Sequence, residues 1–130
     1  MSNQIVWVDI PVDDLDRAVT FYSAVLDNEV TKQSFSGFAI GLLPNADNQV
    51  SGCLFKSQDN RPSQQGPMIY LNVNGRLDDA VDAVGANGGE VLQGRHQIGE
   101  YGFRAIILDS EGNKIALPMD PPDQKIQQVP

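Results

Sequence analysis

Cysteine, histidine and tryptophan each occur once in this chain, as Cys53, His96 and Trp7. A single cysteine excludes an internal disulfide and fits a reducing compartment. No stretch approaches the roughly 20 consecutive apolar residues of a membrane span, so no membrane is expected as a partner. Basic residues are scarce: 9 Lys and Arg stand against 17 Asp and Glu, for a net charge of -8. Such a surface repels phosphate backbones, which sets nucleic acid aside. It favours cationic ligands, or it simply keeps the protein soluble. Met1, Ser2, Asn3 and Gln4 lead into an apolar run with no basic stretch before it. No signal peptide is therefore expected, and the expected location is cytoplasmic.

What is present is a pattern written twice. A chain of 130 residues suits one domain with a real core. Ile5, Val6, Trp7, Val8, Asp9 and Ile10 read as a strand closed by Pro11. Asp13 or Asp14 can cap a helix whose apolar face is Leu15, Ala18, Val19, Tyr22 and Val25, with Asp27 and Asn28 at its end. Short strands are expected over residues 29–32, 37–43 and 50–55, with a turn at 44–48. The same order then returns. A strand over 68–73 precedes Asn74 as a cap and a helix with Leu77, Ala80, Val81 and Val84 on its apolar face. Gly88 and Gly89 stop that helix, and strands follow over 90–92, 103–108 and 114–117. Asp109, Ser110, Glu111, Gly112 and Asn113 read as a hairpin turn rather than a calcium loop, which would need a glutamate at its twelfth position. The expected organisation is a single domain over 1–130: one β-α-β-β-β module at 4–56, a polar linker at 57–66, a second module at 67–119, and a fraying Pro- and Gln-rich tail at 120–130.

Three stretches carry a resemblance to a known family. The first is Ile10, Pro11, Val12, Asp13, Asp14, Leu15, Asp16, Arg17 and Ala18, followed by Phe21 and Tyr22. The second is Ala86, Asn87, Gly88, Gly89, Glu90, Val91 and Leu92. The third runs from Leu108 through Asp109, Ser110, Glu111, Gly112 and Asn113 to Lys114 and Ile115. In this order they resemble the vicinal-oxygen-chelate superfamily, the glyoxalase/bleomycin-resistance/dihydroxybiphenyl-dioxygenase group, over about residues 5–119. The segment from Gly99 to Phe103 resembles small bacterial glyoxalase-like members. The resemblance implies an α+β fold, two β-α-β-β-β modules forming curved sheets around a cavity, and a homodimer. Strand alternation then sorts residues: Val6, Val8 and Ile10 should pack under one helix and Ile69, Leu71 and Val73 under the other. Trp7, Asp9, Met68, Tyr70 and Asn72 should face the cavity.

Metal-dependent members of that superfamily place a ligand on the first and last strand of each module. Carried onto this chain, those positions are Trp7, Met68, Ala116 and one of Ser51, Gly52, Cys53 or Leu54. Trp, Met and Ala do not ligate a hard divalent ion, and His96 lies elsewhere. No cofactor and no metal are therefore expected. The expected ligand-binding cavity is Trp7, Asp9, Met68, Tyr70, Tyr101 and Phe103. Trp7 either stacks on a ligand or fills the cavity. Asp9 either serves a ligand or pairs with Arg104. Asp9, His96 and Glu100 are the acid–base candidates, His96 and Glu100 on one glycine-flanked loop. Cys53 reads as a small core residue. The expected function is metal-independent small-molecule binding. The alternative is a lyase or isomerase of lactoylglutathione-lyase type, using those acid–base residues or an atypical metal site.

Overall fold

The computed structural model describes residues 4–45 and 51–119, apart from the side chains of Phe35 and Tyr101. The turn residues 46–48 and the tail 120–130 lie outside the described residues. The fold is α+β, with two four-stranded mixed sheets, each beside one helix, and neither sheet closes into a barrel.

Strand β1 (Trp7–Pro11) leads into helix α1 (Leu15–Leu26). Of the two candidate caps it is Asp14 that acts, its carboxylate accepting the Arg17 N–H at 3.0 Å. The helix buries Ala18, Phe21, Tyr22, Val25 and Leu26 along one face. It ends where Asp27 turns left-handed (φ 51°), and the N–H groups of Asp27 and Asn28 return to Ala24 and Ser23. Strands β2 (Thr31–Phe35), β3 (Phe38–Leu42) and β4 (Ser51–Phe55) follow. β2 begins two residues later than expected, because Val30 is buried and gives its N–H to the Ser23 hydroxyl instead of a ladder. The sheet order is β1-β4-β3-β2, with β1 and β4 parallel.

The second half repeats this order with β5 (Ile69–Tyr70), α2 (Leu77–Ala86), β6 (Glu90–Gln97), β7 (Phe103–Leu108) and β8 (Lys114–Met119), arranged β5-β8-β7-β6. Two expectations fail here. β5 spans only Ile69–Tyr70. Beyond it, Asn72 accepts the Asn74 N–H at 2.8 Å, and Asn74 and Gly75 both take positive φ, so Asn74 belongs to a turn and caps nothing. β6 continues past residue 92 to Gln97, two register irregularities letting it stay paired with β7. His96 is therefore a strand residue opposite Arg104, not a loop residue.

The core lies between the helices and the adjacent sheet faces, with Ile10, Phe21, Tyr22, Leu54, Leu77, Ile107, Ile115 and Leu117 nearly inaccessible. Burying each such side chain contributes about 1.5–3 kcal/mol. Val8 and Ile10 pack toward this core as expected, but Val6 precedes β1 and is exposed. Gly52 marks the closest backbone approach: a Cβ there would sit 2.3 Å from the Val8 carbonyl oxygen on the paired strand.

The β7–β8 turn does more than reverse the chain. The Glu111 side chain is fully enclosed. Its Oε1 accepts the backbone N–H groups of Asp13 and Asp14, each at 2.8 Å, and its Oε2 accepts Arg17 Nε at 2.7 Å and the Ser110 hydroxyl at 2.8 Å. Burial pushes its carboxyl upward. The bonds from Arg17, Asp14, Ser110 and Asp13 outweigh that and hold it at about 2, below the ordinary 4.5. Beside it, buried Tyr22 donates to Asp109, and Asn113 donates both to Asp109 (2.9 Å) and to the Pro11 carbonyl (2.7 Å). The turn of the second half thus caps the first half's helix.

Candidate functional site

Each sheet has one face against a helix and one face turned away, called here the inner face. On the first sheet, alternation and the β1–β4 register put Trp7, Asp9, Cys53 and Phe55 on the inner face. Trp7 is 46% exposed, and its indole N–H donates to Asp9 Oδ1 at 3.0 Å. The Cys53 thiol donates to the same oxygen at 3.3 Å. Burial, and then the hydrogen bond and charge of Asp9, push that thiol up to about 11. Phe38 and Phe55, packed edge to face at 5.9 Å, extend this surface. Cys53 is buried, as expected, yet it is tied to the inner face rather than surrounded only by core.

On the second sheet the inner face carries Tyr70, Arg104, Ile106 and Ala116. Arg104 Nε donates to His96 Nε2 at 2.9 Å, and Arg104 Nη1 donates to the Tyr70 hydroxyl. His96 Nδ1 lies 2.9 Å from the Gly94 carbonyl oxygen. Since Nε2 accepts, the ring proton sits on Nδ1 and donates to Gly94. The expected Asp9–Arg104 pair does not form: Asp9 turns to Trp7 and Cys53, and Arg104 to the neutral acceptors beside it on β5 and β6. Phe103, expected on the cavity wall, has the opposite parity from Arg104. It packs against the core with Arg95 over its ring at 4.5 Å. Glu100 is exposed on the single helical turn Gly99–Tyr101 and makes no hydrogen bond to His96. The side chain of Tyr101 lies outside the described residues.

A cleft of about 780 Å³ opens at the β1 and β5 edges of the two sheets, between β1, the end of α1, the ends of β3 and β4, and β5. Val8, Leu26, Leu43, Met68, Tyr70 and Asn72 are among its walls, and among the described residues no charged side chain lines it. Of the expected cavity residues, Met68 and Tyr70 line this cleft, while Trp7 and Asp9 are exposed on the inner face and do not line it. Strand alternation points to Met68, Tyr70 and Asn72, but not to the walls at Val8, Leu26 and Leu43, which come from segments far apart in the chain.

Residues 4–117 match the sequence pattern of the Glyoxalase/Bleomycin resistance protein/Dioxygenase superfamily. The chain belongs to that superfamily. Among solved structures, it is similar to a hypothetical protein from S. aureus, with TM-score 0.72 and 19% identity over 92% of this chain and 95% of that one. It is also similar to a glyoxalase-related enzyme from Fulvimarina pelagi, with TM-score 0.72 and 14% identity over 92% and 90%. A glyoxalase I mutant from Zea mays matches with TM-score 0.71 and 18% identity over 95% of this chain but 47% of its own length. No curated protein matches in sequence.

Superfamily membership raises the question of its metal. Asp9 pairs in register with Cys53 as Tyr70 does with Ala116, so Cys53 is the first module's counterpart of Ala116. The four positions are thus Trp7, Cys53, Met68 and Ala116. Trp and Ala offer no ligand, Met offers only a soft thioether, and the Cys53 thiol is held protonated to about 11. These residues do not fit a hard divalent ion. Among the described residues no group of three or more His, Cys, Asp or Glu side chains could hold one.

Proposed function

We propose that this superfamily member binds a small molecule on its inner faces and in the adjoining cleft, without the superfamily's metal. The observation that carries this reading is the arrangement of polar side chains there. Trp7, Asp9 and Cys53 on one sheet, and Tyr70, Arg104 and His96 on the other, orient one another while Trp7, Asp9 and Tyr70 remain open to solvent. Preset polar groups, joined through Tyr70 to an uncharged, largely apolar cleft, are what a specific ligand site needs.

The acid–base alternative has less to work with. Both ring nitrogens of His96 are engaged, one by Arg104 and one by Gly94, so a catalytic reading rests on Asp9 and the exposed Glu100. The homodimer implied by the resemblance would cover Trp7, Phe38 and Tyr70, which are 46%, 51% and 44% exposed. Sedimentation of the purified protein tests that assembly.

Metal analysis combined with thermal-shift measurement tests the main reading. Dialysis against a chelator, and then addition of zinc, nickel or manganese, should leave the melting temperature unchanged, while members of a small-molecule library raise it. A stoichiometric metal whose removal lowers the melting temperature would overturn the proposal.

A further inference from the structure

We infer that Arg104 is the anchor for a single carboxylate, positioned by His96 and Tyr70, so that the ligand is a monoanionic acid with an apolar body. The inference rests on the small-molecule reading above and gives it a ligand class.

Charge accounting comes first. Arg17, Arg61, Arg76 and Arg95 each face a carboxylate, that of Glu111, Asp13, Asp27 and Asp78 respectively. Arg104 faces none among the described residues, although the chain carries 17 acidic side chains and a net charge of -8. It is half-buried, and its two partners, an imidazole nitrogen and a phenol oxygen, are neutral. A guanidinium partly withdrawn from water and left without a counter-charge is costly unless something else supplies the charge.

Donor accounting follows. A guanidinium has five N–H donors. His96 takes Nε and Tyr70 takes one on Nη1, which leaves one on Nη1 and both on Nη2 without partners among the described residues. With Nε occupied, a carboxylate meets the guanidinium end-on, across Nη1 and Nη2. Tyr70 accepts from Arg104, so its own hydroxyl proton is free to donate to the same anion. His96 acts through Arg104: with its proton sent to Gly94, its bare Nε2 locks the guanidinium plane. It is a positioning residue.

The body of the ligand is set by the neighbouring surface. Tyr70 stands both in the wall of the cleft and against Arg104, so the anchor lies at the cleft's edge. The cleft lining is apolar with uncharged amides. One cation without a second beside it suits one negative charge, a carboxylate, better than a dianionic phosphate; Arg95 is engaged with Asp78 and lies over Phe103.

Calorimetric titration with octanoate, octanamide and octylamine, which share one apolar chain, tests this. Octanoate should bind about tenfold or more tighter than octanamide, as expected for charge-assisted bonds. Arg104→Met should reduce octanoate to the level of the amide and leave the amide unchanged. Tyr70→Phe, at an exposed position, keeps the test valid if the arginine variant does not fold, and should weaken octanoate several-fold. His96→Ala should weaken octanoate and His96→Gln, which restores an acceptor, should recover it; a merely structural role would move all three probes together. If octanamide binds as well as octanoate, the carboxylate anchor is wrong while the small-molecule reading survives. Preferential binding of octylamine would also overturn it and would point to Asp9. If none of the three binds, the inference fails outright, and the library screen decides the broader reading.

Discussion

Replacing Glu111 tests how the two halves are joined. Its side chain is fully enclosed and accepts two backbone N–H groups at the start of α1, the Ser110 hydroxyl and the Arg17 guanidinium. Glu111→Ala leaves the N–H groups of Asp13 and Asp14 without their acceptor, and each unsatisfied group costs about 1–3 kcal/mol. Water entering the vacated space recovers part of that, and Arg17, half exposed, is rehydrated at little cost. The expected loss is about 2–4 kcal/mol, roughly 10 °C in melting temperature for a domain of this size. Glu111→Gln keeps the shape and one acceptor but turns an N–H pair toward Arg17 Nε, so it should lose about half as much. The carboxyl also titrates lower in the fold, at about 2 against an ordinary 4.5. A folded-state value below the unfolded one gives stabilisation that is complete above the unfolded value and drains away as pH falls toward the folded one. Urea unfolding followed by far-UV circular dichroism at pH 7 and pH 3 reads both effects. Wild type should weaken between these pH values more than Glu111→Gln does. A loss below about 1 kcal/mol in the alanine variant, or equal acid weakening in wild type and Gln variant, would refute the clamp.

Other substitutions probe separate parts of the structure. Gly52→Ala would place a Cβ 2.3 Å from the Val8 carbonyl oxygen, so a loss above about 3 kcal/mol or insolubility is expected, whereas Gly94→Ala, with nothing within 4 Å, should stay within about 0.5 kcal/mol; urea titration compares them. Tyr22→Phe keeps the packing against Phe21 but removes a donor to Asp109, and should cost about 1–3 kcal/mol by the same measurement. Burial, with Asp109 beside it, raises the Tyr22 phenol well above 10, so in a spectrophotometric titration one of the chain's 3 tyrosines should ionise only as the protein unfolds in alkali. Asp9→Asn removes a charge that helps hold the Cys53 thiol at about 11, so alkylation of Cys53 by iodoacetamide at pH 8 should speed up about threefold, and an unchanged rate would detach Cys53 from Asp9.

The parts of the fold legible in the chain are those where periodicity repeats over several residues. The apolar stripe of α1, the parity of Trp7 and Asp9 against Val8 and Ile10, and that of Tyr70 against Ile69 all follow from side-chain spacing alone. Phe103 is expected on the cavity wall as the end of the Gly99–Phe103 segment, but it begins β7 on the core-facing side, a face that the turn at Gly99–Tyr101 decides and the local sequence does not. The extension of β6 beyond residue 92 is not legible because Gly94, Arg95, His96 and Gln97 lack a buried face to make them alternate, and every residue of the strand except His96 is exposed. The site was half legible. Trp7, Asp9 and Tyr70 could be placed by parity, but the Arg104–His96–Tyr70 contacts join three strands. In the sequence Glu111 is ordinary turn chemistry, since its partners at Asp13, Asp14 and Arg17 lie more than 90 positions away.

The start of α1 is secured twice, by Asp14 and by Glu111, whereas α2 starts at Arg76 with no side-chain acceptor and follows a strand of two residues. The likeness between the halves is thus one of outline and not of firmness. Amide protons at the beginning of α2 should exchange with solvent ahead of those at the beginning of α1. The wall of the cleft that carries Met68 and Tyr70 leads into this less secured helix start, so an incoming molecule that displaces either wall is expected to move the backbone after Tyr70 before that of β1.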